Sequence, residues 1–449
     1  MQALLQDAAR RGMQYLATVN ERSVPPSPAA VEALREFEEA LPNAPTDPAQ
    51  VLAVLDEIGS PATVASAGGR YFGFVTGGSL PVTVAANWLA TAWDNNSGLT
   101  VMSPAVVKLE AVALDWLIDL FGLPAGTGGG FVTGATMANL TGLAAARHAL
   151  LERQGWDVET QGLFGAPPLT VVVGDEVHVS LLKALSLLGL GRERVIRIPV
   201  DGQGRMRPDA LPPLDQRTIL CVQAGNVNTG ATDPLDQLCA AAQAADAWVH
   251  VDGAFGMWAA VTPTHTHLTT GLAQADSWAT DAHKWLNVPY DSGLVFCRNA
   301  DHLRAAMSTT AAYLQQGETR EPYHYTPEMS RRARGVEVWA ALRSLGREGL
   351  ADLISRTCRH ARRFAGGLGA AGYTILNEVV LNQVLVSFGD ETTTRRVIAA
   401  VQAEGTCWAG GTTWQGQAAM RISVSSWATT ETDVEQSLAA IIRIARQPC

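Results

Sequence analysis

Lysine is scarce in this chain. Only Lys108, Lys183 and Lys284 occur, against 33 lysines and arginines together, so any chemistry that needs a lysine amine has three candidate positions. Codon bias accounts for the shortage, since arginine fills most surface roles as well as lysine does. Positive charge is also outnumbered: 43 acidic residues leave a net charge of −10, which argues against a protein that tracks nucleic-acid phosphates. The six cysteines, Cys221, Cys239, Cys297, Cys358, Cys407 and Cys449, form no C-x-x-C pair and no zinc spacing. Reduced thiols in a cytoplasmic protein are expected, with neither a disulfide framework nor a metal site. No apolar run reaches the roughly 18 residues that a membrane helix needs, and no basic, apolar leader opens the chain. Repeats and low-complexity tracts are missing too. What remains is 449 residues, 47% hydrophobic and 17% charged, a globular, core-rich composition larger than one ordinary domain.

Residues 1–95 read as helices joined by proline-marked links, Val24-Pro25-Pro26-Ser27-Pro28 among them, followed by the glycine-rich stretch Gly68–Ser79. That stretch is too apolar for a solvated linker and suits close approach to a ligand. Ser103-Pro104 opens a helix, with proline where its missing N–H costs nothing. Over 96–345, short β-branched runs at Thr170–Val173, Val195–Val200, Thr218–Val222, Trp248–Val251 and Leu294–Phe296 mostly alternate with helical stretches. The alternation predicts an α/β fold with a mainly parallel sheet covered by helices on both faces. Ligands of such sheets bind beyond the carboxyl ends of the strands. Residues 346–449 form a smaller α+β unit, with strands near Val379–Phe388 and Ala419–Val424.

The residues after each strand therefore matter most. Asp252 ends the run Trp248–Val251, where a carboxylate must meet a cation or a donor; capping the next turn is the alternative. Downstream, Ser277–Thr280 leads into Asp281-Ala282-His283-Lys284-Trp285. A lysine among apolar and aromatic neighbours is suited to Schiff-base chemistry. Lys108, next to Leu109-Glu110, fits an exposed or ion-paired role, and Lys183 a solvent-facing one. The turn Gly128-Gly129-Gly130-Phe131-Val132-Thr133-Gly134-Ala135-Thr136 runs into a helix, and free N–H groups at a helix start seat phosphate. The G-K-[ST] ending of a nucleoside-triphosphate loop is absent. His178 and Gly225-Asn226-Val227-Asn228 also follow strands; a structural histidine and an ordinary turn are their alternatives.

A phosphate seat, a carboxylate, an imidazole and a Schiff-base lysine together are what pyridoxal phosphate needs. On these residues the chain resembles the pyridoxal-phosphate-dependent group II amino-acid decarboxylases. The resemblance extends to Tyr71-Phe72-Gly73-Phe74, Ser103-Pro104-Ala105, Leu109-Glu110, Val251-Asp252-Gly253-Ala254, His283-Lys284-Trp285 and Met420-Arg421-Ile422-Ser423. It implies a type I (aspartate-aminotransferase-like) fold and a homodimer with shared active sites, its N-terminal segment wrapping the partner. By the same resemblance Lys284 would carry the cofactor, Asp252 would pair with the pyridine nitrogen, and His178 would stack on the ring. Gly134, Ala135, Thr136 and His283 would contact the phosphate, Asn226 would lie near the ring hydroxyl, Ala254 would line the site, and Thr76 would lie at the substrate mouth. The family often has Asn-Pro where this chain has Asp281-Ala282, which leaves the lysine in place and affects the phosphate side. In the region Tyr313–Arg334, Tyr323 is favoured as the proton donor, with Tyr325 second; packing is the alternative for both. The implied reaction is decarboxylation of an L-amino acid, apolar or aromatic, to its amine. A Cα–Cβ lyase, an aldehyde-forming enzyme and a non-catalytic cofactor-binding relative are the competing expectations.

Overall fold

The computed structural model describes residues 1–309 and 320–447. The chain divides into two compact units, one of Met1–Gly78, His360–Leu376 and Val384–Cys449, the other of Ser79–Arg359 and Asn377–Gln383.

The larger unit is built on seven strands: β1 (Gly128–Val132), β2 (Thr170–Gly174), β3 (Ile196–Ile198), β4 (Thr218–Gln223), β5 (Trp248–Asp252), β6 (Ser277–Asp281) and β7 (Gly293–Cys297). Their order is β1-β7-β6-β5-β4-β2-β3. All neighbouring pairs are parallel except those of β7, which runs antiparallel to β1 and β6. The central strands β5, β6 and β7 are buried at every position, as sheets covered on both faces require.

One expectation needs correction. Gly128–Gly130, read as part of a turn, forms most of edge strand β1, and only Thr133-Gly134 separates it from the helix Ala135–Glu152. A Cβ on Gly129 would lie 2.8 Å from the Val295 carbonyl oxygen and 3.1 Å from Leu114 Cδ2. The strand is glycine-rich because its neighbours leave no room for side chains, and without side chains it shows no alternating pattern.

The smaller unit carries a sheet of β8 (Thr374–Ile375), β9 (Gln383–Ser387), β10 (Gly410–Trp414) and β11 (Gln417–Ser423), in the order β10-β11-β9-β8, with the pairs β10–β11 and β8–β9 antiparallel. β10 and β11 are joined by the two-residue turn Gln415-Gly416, both at positive φ (45° and 82°), the geometry that matches strand twist in a tight hairpin. Among the described residues, no helix is long and apolar enough to cross a membrane. Among the described residues, Cys221, Cys239, Cys297, Cys358 and Cys407 are buried thiols outside any disulfide.

The arginines after Ser330 hold the larger unit together. Arg331 Nη1 donates to both oxygens of Glu110, at 3.3 and 3.2 Å, and Nη2 donates to the Phe131 carbonyl at 2.7 Å. Both charged side chains are wholly buried. Arg334 Nε pairs with Asp291 at 2.6 Å and Arg332 with Glu337 at 2.7 Å. Arg331→Met leaves the buried Glu110 carboxylate with only the more distant Arg320 guanidinium at 3.7 Å, so chemical denaturation should find the variant less stable by about 3 kcal/mol. The double variant with Glu110→Leu should recover most of that loss.

Candidate active site

The parallel strands β2, β4, β5 and β6 bring their carboxyl ends to one edge of the sheet, and the residues that follow them face one another there. A cleft at that edge is lined by His178, Gln223, Gly225 and Val227 on one side of the strand order and by Asp252, Ala254, Phe255 and Lys284 on the other. The three lysines differ sharply in setting. Lys108 and Lys183 are exposed, whereas Lys284 is half-buried in the cleft. His178 caps the helix Val179–Leu187: its Nδ1 accepts the Ser180 N–H at 3.3 Å, which puts the ring hydrogen of the neutral imidazole on Nε2.

Asp252, 5% exposed, is supplied with hydrogen bonds by a chain of buried groups. Trp248 Nε1 can only donate, so Ser277 Oγ accepts from it at 2.9 Å and sends its own hydrogen to His250 Nδ1 at 2.8 Å. His250 Nε2 then donates to Asn139 Oδ1 at 2.9 Å, and Asn139 Nδ2 donates to Asp252 Oδ2 at 3.1 Å. One proton assignment satisfies every member, and it points every donor toward the carboxylate. Burial pushes the His250 imidazole down to about 3, which keeps it neutral, as this chain of donors requires. Gly142 makes room for the ring, since a Cβ there would lie 2.8 Å from His250 Cε1. Neither Asn139 nor His250 was anticipated. The available signal was an asparagine in the second turn of an alanine-rich helix.

At the start of the helix Ala135–Glu152, the Asp281 carboxylate accepts the Ala135 N–H at 2.5 Å through Oδ1 and holds Lys284 Nζ at 3.1 Å through Oδ2. The next N–H groups of the helix have no intrahelical acceptor. His283 stacks on Tyr290, with ring centroids 4.2 Å apart, and burial moves its imidazole below the usual histidine range. Its Nδ1 and the nearby Ser292 Oγ are buried without a hydrogen-bond partner. Two orphaned polar atoms beside a helix N-terminus are the kind of donor set an anion would satisfy.

The comparisons bear on the same region. Residues 32–388 match the family model described as the pyridoxal-dependent decarboxylase conserved domain. The chain belongs to this family. It is 30% identical over 315 residues to an aromatic-L-amino-acid decarboxylase of Bacillus atrophaeus, covering 67% of this chain and 63% of that protein. It is 31% identical over 287 residues to a phenylacetaldehyde synthase of a Rosa hybrid cultivar, covering 59% and 55%. The matches thus span less than two thirds of these relatives' lengths. Among solved structures, Oryza sativa TDC with PLP and tryptamine superposes with a TM-score of 0.91 at 22% identity, over 99% of this chain and 97% of that one. The mixed sheet with flanking helices and a small β-rich unit is the type I architecture expected from the sequence.

The family's cofactor fits the residues present. Lys284, Asp252 with its donors, Ala254 and His178 share the cleft. Gly134, Ala135, Thr136 and His283 stand at the helix start, with the unpartnered His283 Nδ1. Other predicted residues are placed differently. Asn226 is buried between the cleft residues Gly225 and Val227; its Oδ1 accepts from the N–H groups of Asn228 and Thr229 at 2.9 and 3.2 Å, and its Nδ2 donates to Gln223 Oε1 at 3.3 Å, a side chain that lines the cleft. Tyr323 is buried at 3% exposure, with its N–H donating to the Gly98 carbonyl. Tyr325 lies under the Arg320 guanidinium, 4.5 Å from its ring centre. Neither tyrosine is among the residues lining this cleft, and Tyr313, which opens their region, lies outside the described residues. Thr76 belongs to the smaller unit, beside Phe74 and Val75 at positive φ (52° and 60°). A β-branched residue in that conformation is a genuine outlier of the kind that gathers at functional segments.

Two predictions follow from this geometry. Because the folded-state value of His250 lies below its ordinary 6.5, its contribution to stability is present above about pH 6.5 and is lost as pH falls toward about 3. The slope is about 1.4 kcal/mol per pH unit, and urea titrations across that window should find it removed in His250→Phe. Asp281→Asn should bind inorganic phosphate and pyridoxal phosphate about tenfold more tightly, because relief of about 1.4 kcal/mol of charge repulsion corresponds to that factor. Fluorescence titration measures it directly.

Proposed function

We propose that the protein decarboxylates an apolar or aromatic L-amino acid to its amine, using pyridoxal phosphate carried on Lys284. The observation that carries this reading is the convergence of Lys284, His178 and the donor-fed carboxylate of Asp252 in one cleft. The cofactor, when bound, supplies an electron sink for the carbon that loses its carboxylate. Asp252 would hold a proton on the pyridine nitrogen, and the hydrogen bond from Asn139 keeps its carboxylate aimed. His178 would orient the substrate carboxylate, and the helix start with His283 would hold the phosphate. The charged and imidazole groups of the cleft are thereby assigned to cofactor and carboxylate. Val227, Gly225 and Phe255 are left for the substrate side chain, which supports an uncharged one.

A homodimer is part of the proposal, with the segment 1–95 packing on the partner. The helix Gln2–Thr18 has no buried residue and exposes Leu5, Met13 and Leu16, as the helix Pro48–Val54 exposes Val51 and Val54. Apolar surface of this extent calls for a covering partner. The 31% identity to a phenylacetaldehyde synthase over 59% of this chain, beside 30% to a decarboxylase over 67%, supports a second reading in which the product is an aldehyde.

A panel of L-amino acids, with carbon dioxide, amine and aldehyde all measured, tests the proposal. Amine and carbon dioxide in equal amounts from an aromatic substrate are expected. Aldehyde with ammonia would favour the second reading, and no turnover of any amino acid would leave a non-catalytic relative. If Tyr323 donates the proton to the substrate carbon, Tyr323→Phe lowers amine formation by about 100-fold; an unchanged rate would assign it to packing.

A further inference from the structure

At the far end of the helix Ala135–Glu152, about 20 Å from the phosphate seat at 1.5 Å per residue, three side chains converge that the cleft does not use. His148 and Glu152 lie one turn apart on that helix, and His302 comes from the helix Ala300–Met307 packed against it. Their ligating atoms all lie within 4.8 Å of one another. We infer that His148, Glu152 and His302 bind one transition-metal dication, with zinc as the natural choice.

The distances fit that purpose better than they fit hydrogen bonding. Glu152 Oε2 is 3.6 Å from His148 Nε2 and 3.8 Å from His302 Nδ1, too far for a hydrogen bond to either ring. Donors about 2.0–2.1 Å from a tetrahedral zinc ion stand about 3.3–3.4 Å apart, so small side-chain rotations close the set. Two imidazoles and one carboxylate are a common zinc ligand set, with water in the fourth position.

An independent observation concerns the other nitrogen of His148. Its Nδ1 lies 2.6 Å from Glu159 Oε2, contributed by the short helix Val158–Gln161. A hydrogen on Nδ1, donated to this carboxylate, leaves the lone pair on Nε2, the atom that faces Glu152. Carboxylate, histidine and metal in line is the arrangement that fixes the tautomer of a ligating imidazole and raises its basicity. The His148 and His302 side chains are 11% and 23% exposed, and Glu152 is 61% exposed, so the site is walled by the rings and open to solvent at the carboxylate. Arg147 lies 3.7 Å from Glu159. The bound ion would clamp the helix Ala300–Met307 to the helix that starts at the phosphate seat.

The test uses the full chain, stripped with a chelator and titrated with zinc and, separately, cobalt. Calorimetry should find one zinc ion per chain, cobalt should give the visible bands of a four-coordinate nitrogen and oxygen site, and zinc should raise the thermal midpoint. His302→Ala should abolish all three effects while retaining the wild-type circular dichroism. Glu159→Ala, which leaves the ligands in place, should weaken binding by about 10- to 100-fold. Absence of stoichiometric zinc uptake by the wild type would overturn the assignment. Uptake that His148→Ala and His302→Ala leave unchanged would do so equally, since the ion would then sit elsewhere.

Discussion

An ionised carboxylate enclosed by a sheet persists only where donors replace the water it has lost, and the larger unit is arranged around meeting that demand at Asp252. The supply begins at Trp248, passes through Ser277 and His250, and reaches Asp252 through Asn139. Its members come from β5, β6 and the helix Ala135–Glu152, so strand register and helix position must both be right before the carboxylate is satisfied. The same helix presents its N-terminus to the proposed anion seat. Packing and chemistry therefore share their supporting residues.

Charge at the seat is arranged with equal economy. Asp281 holds the first helix N–H and the Lys284 amine together. The consequence is a seat whose nearest fixed charge is negative, balanced by the helix dipole and the lysine. Whatever anion binds there competes with a resident carboxylate.

Much of this was legible in the sequence, for physical reasons. Buried parallel strands are continuous apolar runs, so β4 and β5 stood out, and the residues directly after strands marked Asp252, His178 and the region of Lys284. The scarcity of lysine narrowed the amine to three positions, and burial now separates Lys284 from two exposed ones. What escaped detection has equally definite causes. β1 opens with three glycines and so shows no alternating pattern. His250 is one histidine among nine, and its partner Asn139 lies 111 positions away. Asn226 follows a strand, and its amide links the turn, through Oδ1, to the cleft residue Gln223, through Nδ2. The His148, Glu152 and His302 cluster has no cysteine and draws its third member from another helix.

The central claim is that Lys284 is the point at which the cofactor is attached. Borohydride reduction of the full-length protein with pyridoxal phosphate bound, followed by peptide mapping, tests this most directly. The account predicts a single pyridoxyl-modified peptide containing Lys284. Modification at Lys108 or Lys183 in its place, or a protein whose absorbance does not respond to pyridoxal phosphate and borohydride, would contradict it.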